Sequence, residues 1–353
     1  MKDSISQRMN NNSNLAYCDF IRTTLMVLVV LGHSMDLWMG NWFNQAPVTE
    51  NNIIKIMALW LNSFHTYAFT LLSGYLFYYL KYEKGKYRKF IPFVTNKVKR
   101  LLVPYIFSSV IWVAPVYAYY YEAGPLTLFR RFILCEGPSQ LWFLIMLFGV
   151  FLCFYPLAGF IQSHTVFGSG IALILFCVSI LGDHFYPNYF QIWTILGYIP
   201  FFFAGFVIRK REQQGKNFVI PVWGYAIVDL MLFILYLILI PYKGMLFRVL
   251  IYSEGLLLHI VSAILAFRVL GYIGKHAETS LKVFRVFQVF QDSSMGVFLF
   301  HQQFIFFVIN CLNGKISPWL LVMTSFIISL FLSLCITQLC LKHKITRNLI
   351  GCN

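Results

Sequence analysis

Charge is scarce in this chain. Of its 353 residues, 12% are Asp, Glu, Lys or Arg and 59% are hydrophobic, against about 25% charged in a soluble domain. That shortage excludes a soluble globular fold. Acids are rarer than bases, 13 against 28, giving a net charge of +15. The excess does not indicate a nucleic-acid partner, because most of the basic residues fall in a few short loops, as the positive-inside rule requires of a membrane protein. No CxxC pair and no Cys/His metal spacing occurs, and the eight cysteines lie mostly within apolar runs. They read as small buried hydrophobes, so neither a disulfide framework nor a metal site is expected. No small-residue cleavage site follows the first apolar run, which is therefore read as an uncleaved helix.

What remains is length and apolarity. The hydrophobic runs predict an all-α polytopic membrane protein of about ten transmembrane helices. They fall over residues 15–39, 53–80, 101–120, 141–161, 167–181, 192–208, 218–240, 247–270, 294–312 and 318–341. Alternate loops carry the bases: Lys2 and Arg8, the stretch from Lys81 to Arg100, Arg209 to Lys216, Arg268 to Arg285, and Lys342 to Arg347. Both termini are thus expected in the cytoplasm. Residues 1–353 are read as one transmembrane domain, with polar cytoplasmic tails at 1–14 and 342–353. The segment Phe167-Gly168-Ser169-Gly170 reads as a turn, and Ser73-Gly74 as a close helix contact through small residues.

Two polar residues interrupt the first span. Arg22 and His33 are eleven residues apart, which is three turns plus about 20°, so they share one face about 16 Å apart along the axis. Ionisable groups in a span usually face a bundle interior and mark a function. Counted from the inner ends of their spans, His33, His65, Asp229, Glu254 and His259 fall at a similar depth near mid-membrane, which suggests a shared polar cavity.

Several short stretches resemble, in order, the integral-membrane acyltransferase-3 family. Asp19-Phe20-Ile21-Arg22 followed by Val29-Val30-Leu31-Gly32-His33 is similar to its first-helix signature. Phe64-His65 through Ser73-Gly74-Tyr75-Leu76 is similar to its second. Arg100-Leu101-Leu102-Val103-Pro104-Tyr105 resembles its Arg-x-x-x-Pro element, and Leu141-Trp142-Phe143-Leu144 the opening of its fourth helix. Phe201 to Gly205 resembles the end of its sixth helix, and Ser294 to His301 its ninth-helix motif ending in His. Tyr67 stands where the family often has Pro.

The resemblance implies a membrane O-acyltransferase that moves an acyl group, most often acetyl, from cytoplasmic acyl-CoA to a hydroxyl of a cell-surface polysaccharide or lipid-linked sugar. It places the chain in the plasma or inner membrane as a multi-pass protein. Its partners would be membrane lipid, the acyl-CoA donor and the saccharide acceptor, with self-association left open. His33 is the expected catalytic base or acyl relay, since an imidazole near its usual pKa of about 6.5 can take a hydroxyl proton at neutral pH. Arg22 and Arg100, near the cytoplasmic boundary, suit the CoA phosphates, and Asp19, three residues before Arg22, would orient it. Glu254 is expected in the acceptor pocket or as the partner of a histidine. His65 and Trp38 are the expected acceptor contacts. The competing reading is a transporter or flippase for a lipid-linked saccharide, which also needs many spans and a polar midplane.

Overall fold

The computed structural model describes residues 15–40, 42–216, 218–277 and 281–352. The N-terminal tail at 1–14, with Lys2 and Arg8, and the side chain of Arg285 lie outside the described residues. Among the described residues there is no strand, and nine helices are long and apolar enough to cross a membrane.

Helix α1 is Ala16–Met35, extended by a 3-10 turn over Asp36–Met39. The tenth expected span is present but broken, into α2 (Asn52–Asn62) and α3 (His65–Tyr78). No Pro or Gly marks the break. Phe64, at φ −133° and ψ −30°, leaves the helical region. A break at membrane depth frees backbone carbonyls that lipid cannot satisfy. Here two imidazoles take them: Nδ1–H of His65 donates to the Leu61 carbonyl (2.7 Å) and Nδ1–H of His259 to that of Ser63 (2.8 Å).

Helix α4 runs over Phe90–Tyr121, starting eleven residues before the expected 101. It contains two widened, π-type turns, Val98–Leu102 and Ser109–Val113. Pro104 and Pro115 follow within two residues of each. Proline lacks an N–H and its ring collides with the carbonyl four residues back, and a widened turn is one way a helix absorbs both.

The remaining spans are α5 (Trp142–Ser163), α6 (Thr165–Phe185), α7 (Ile192–Gln213), α8 (Val222–Leu239), α9 (Met245–Ala277), α10 (Leu281–Leu312) and α11 (Pro318–Lys342), with a short α12 (Lys344–Leu349). Two expectations are corrected. Phe167 to Gly170 is not a turn but lies inside α6, where a side chain at Gly168 would press on Phe203 and Ile161. The expected polar connection over 271–292 is largely helical, since α9 continues to Ala277 and α10 begins at Leu281.

The bundle closes through small residues. Helix α3 packs on α7 so tightly that a Cβ on Gly74 would overlap the Phe202 carbonyl, and one on Gly205 the Leu71 carbonyl. Lipid offers helices no hydrophobic reason to associate, so backbone approach and van der Waals contact replace it. At the end of the bundle that carries the termini, Arg209 grips Glu83 through Nε and Nη2, both at 2.7 Å. Tyr75 bridges this pair to Tyr17 (2.6 Å) and Glu212 (2.5 Å), tying α1, α3 and α7 together. On α11, Ser325, Ser329, Ser333 and Thr337 repeat every four residues, all buried, so one small-residue stripe faces the bundle interior.

Candidate functional site

A cavity of about 1000 Å³ runs along the inner face of α1. Arg22 and His33 both line it, so the two residues that share a helical face also share one space about 16 Å long.

At the deep end His33 is set by its neighbours. Its Nδ1 lies 2.7 Å from Oδ2 of Asp36, three residues on. An ionised carboxylate can only accept, so Nδ1 carries the proton and Nε2 keeps a lone pair. The other Asp36 oxygen takes Nδ2–H of Asn62 at 2.9 Å, and the same amide donates to the Ala58 carbonyl. Asp36 is thereby held from α2 as well as from its own turn.

Two further imidazoles flank His33. The His301 ring stacks on it at 5.3 Å between centroids, and the His65 ring meets it edge-on at 6.3 Å. His301 is fully buried, with its Nδ1–H on the carbonyls of Val297 (3.0 Å) and Phe298 (2.9 Å), and its Nε2 has no hydrogen-bond partner among the described residues. Ser329 holds the His301 carbonyl at 2.6 Å. Trp42 stacks nearly parallel to His33 at 6.1 Å. Beside them the side-chain amide of Gln140 donates to Gln303 (2.9 Å) and to the Leu299 carbonyl (3.0 Å), pinning the start of α5 to α10.

At the other end the lining is cationic. Arg22, Lys97, Arg100 and Arg347 face the cavity, with Asp292 the one acid among its lining residues. Arg22 pairs with Asp19 at 2.9 Å, as expected, in a pair whose side chains are about two-fifths exposed. Such a pair contributes about 0–1 kcal/mol, so it orients Arg22 more than it stabilises the fold. Lys97 lies 3.5 Å from the centre of the Phe151 ring, a cation–π contact that sets its place.

The C-terminal tail completes this mouth. Ile350 is fully buried, and Gly351 and Cys352 line the cavity. Gly351 has φ +75° and would place a Cβ 2.7 Å from Cγ of Pro104. Both the conformation and the space demand glycine there. The Cys352 thiol is pushed up to about 11 by burial. It stays protonated at neutral pH and is no nucleophile, because the thiolate is the reactive form. Since the tail and the start of α1 meet at one mouth, both ends of the described chain lie on the same face of the bundle.

The expected residues divide as follows. His33, Arg22, Arg100 and His65 line the cavity together, and Asp19 sits behind Arg22. Trp38 does not reach it: the ring is 3% exposed and its Nε1–H is bound to the Thr49 carbonyl at 3.0 Å, so it packs in the core. Glu254 does not reach it either. It is buried on α9, and neither of its oxygens has a hydrogen-bond partner among the described residues. The shared midplane cavity is therefore smaller than the depth argument suggests. Asp229 is bound by the Ser262 hydroxyl between α8 and α9, and His259 lies beyond Tyr67 in a separate space. Sequence reasoning missed Asp36, Asn62, Gln140 and the placement of His301 beside His33. The one available signal was the His33-x-x-Asp36 spacing, which puts both on one helical face.

A family model described as an acyltransferase domain matches residues 15–338, nearly the whole chain. No curated protein and no solved structure matches it.

Proposed function

This chain belongs to the acyltransferase-3 family, and from that premise we propose that it is a membrane O-acyltransferase of the cell membrane. It takes an acyl group, acetyl in the simplest case, from cytoplasmic acyl-CoA to a hydroxyl of a surface polysaccharide or lipid-linked sugar. The observation that carries this reading is the single cavity with guanidinium groups at the mouth by the termini and a free imidazole Nε2 at the deep end.

The chemistry follows from the residues. CoA phosphates meet Arg22, Arg100 and Arg347, whose planar donors suit phosphate oxygens. The pantetheine arm then runs the 16 Å or so along α1. At His33, Nε2 takes the acceptor hydroxyl proton as the oxygen attacks the thioester carbonyl. Asp36 stabilises the imidazolium that forms, and the imidazolium returns its proton to the departing CoA thiolate. The products are the acyl ester and free CoA. His65 and Gln140 line the same cavity as His33 and serve in this reading as polar contacts for the acceptor. A relay in which Nε2 itself is acylated uses the same atom. Acid-quenched enzyme carrying label at His33 would distinguish it from general-base transfer.

The test is purified protein in detergent with radiolabelled acetyl-CoA. Slow hydrolysis or transfer by wild type, lost in His33→Ala, supports the reading. Weakened donor binding in Arg22→Ala places the phosphates. If wild type neither binds nor turns over any acyl-CoA, the reading fails. No specific observation favours the transporter alternative.

A further inference from the structure

A second cavity, of about 320 Å³, lies in the half of the bundle away from the termini. It opens between two helix hairpins, α6 packed on α7 and α8 packed on α9. The residues that give it character are Asp183, Trp193, Tyr198, Tyr236, Tyr252 and His259. Asp183, Trp193, Tyr236 and Tyr252 come from the end of α6, the start of α7, the end of α8 and the early turns of α9, while Tyr198 and His259 lie deeper, so the cavity runs from the outer boundary of the spans inward to the depth of His259.

Its chemistry is selective. No Lys or Arg lines it, and its one ionisable acid is Asp183. Aromatic faces suit the C–H faces of a sugar ring and their polar edges suit hydroxyls, while a carboxylate accepts hydroxyl donors. The volume is at the low end for ligand sites, about 300–1000 Å³, and fits a small headgroup.

The rim adds phosphate chemistry. Arg248 is four residues before Tyr252, one turn further out on the same face of α9, and Lys243 precedes it; both are exposed. Leu246, Val249 and Leu250 beside them are exposed and apolar. The chamber thus has a cation, Arg248, one turn outside it and exposed apolar side chains beside that cation, which are the three chemistries of a sugar, a phosphate and a lipid tail.

The inner wall is shared with the first cavity. Tyr67 and Tyr198 line both. The Tyr67 ring stacks on Tyr198 at 4.9 Å and on His259 at 4.2 Å, and the Tyr198 hydroxyl meets Thr66 at 2.9 Å. An aromatic partition one ring thick thus separates this cleft from the space that holds His33.

We propose that the cleft between the α6–α7 and α8–α9 hairpins is the acceptor portal, taking the saccharide headgroup of a phosphate-linked lipid sideways from the outer leaflet. The proposal rests on the acyltransferase reading for what happens next, but the binding itself does not depend on it. Donor and acceptor then enter from opposite faces, and the acceptor hydroxyl must pass the Tyr67–Tyr198 partition to reach His33.

The experiment uses full-length protein in nanodiscs and three labelled probes: farnesyl-pyrophosphoryl N-acetylglucosamine, farnesyl pyrophosphate, and methyl N-acetylglucosaminide. Wild type is compared with Gly255→Leu and Asp183→Asn. The nearest atom to a Cβ on Gly255 is Nε2 of His259 at 3.8 Å, so leucine there enters the empty chamber without a backbone clash. Acetyl-CoA binding in the same samples reports whether each variant is folded. We expect the sugar-bearing lipid to bind wild type at least tenfold more tightly than either fragment. We expect Gly255→Leu, still able to bind acetyl-CoA, to lose at least tenfold in affinity for it, and Asp183→Asn to lose severalfold. Equal affinity for farnesyl pyrophosphate reduces the cleft to a lipid-phosphate site and overturns the proposal. Equal affinity for the soluble glycoside overturns its lipid component. Unchanged probe binding in Gly255→Leu overturns it altogether. Failure of wild type to bind acetyl-CoA while the probe binds would instead sink the donor reading and leave the portal standing.

Discussion

His33 and Asp36 form a 2.7 Å pair across one helical turn, and the second Asp36 oxygen is already committed to Asn62. The imidazole therefore has one tautomer and one orientation before any substrate arrives. A general base contributes about 10²–10⁴-fold to rate. Asp36→Asn should lower kcat by about 10²-fold with little change in the donor KM, and Asn62→Ala by about tenfold. Steady-state transfer or hydrolysis kinetics check both. Loss of donor affinity without loss of kcat would remove Asp36 from this role.

The cationic mouth makes a graded prediction. Hydrogen bonds to charged groups contribute about 1.5–3 kcal/mol, so Arg22→Ala, Arg100→Ala and Arg347→Ala should each weaken acetyl-CoA binding by about 10- to 100-fold. Asp19→Ala should weaken it by less than about fivefold, since its pair with Arg22 is exposed and screened. Isothermal calorimetry at low and high salt measures this, with affinity falling as salt rises.

Gly205 and Gly74 predict stability. Overpacking costs about 1–3 kcal/mol in ordinary cores, but here the obstacles are backbone carbonyls on a facing helix. Gly205→Val should reach or exceed the top of that range and lower the unfolding temperature in detergent. Gly170→Ala, with open space around it, should leave that temperature unchanged within error.

Cys352 predicts a pH profile. Burial raises the folded thiol to about 11, so the thiolate is scarce at pH 7–8 and increases as pH rises toward 11. Maleimide labelling of Cys352 in folded protein should be slow at pH 7.5 and accelerate by about tenfold per pH unit below the folded pKa. Unfolding should abolish the lag. Cys352→Ser should retain donor turnover, whereas a cysteine relay would lose it.

That Arg22 and His33 line one cavity was legible in the sequence, because they sit on one continuous helix and helical geometry alone fixes their relation. Close packing at Gly74 was legible from residue size, since small residues in a span let a facing helix approach. Asp36 was not, because it belongs to the 3-10 turn where α1 ends and its second partner, Asn62, is the last residue of α2, at the break in the second span. That break carries neither Pro nor Gly, and hydropathy runs through it without a mark. Trp38 misled because an aromatic near a span end reads alike whether it faces a ligand or a loop carbonyl. Glu254 misled because depth places a residue along the membrane normal but says nothing about which way its helix faces. The glycines of 168–170 read as a turn by soluble-protein habit, whereas in a membrane helix small residues seat neighbours.

The position of Cys352 in the mouth has a practical side. On the proposed reading that mouth admits the donor, and a segment fused to the C-terminus begins beside Cys352, which lines it. A purification handle or fluorescent reporter placed there would act as a competitive obstruction, lowering apparent donor affinity in every assay that used it. A cleavable handle behind a long linker would avoid that obstruction.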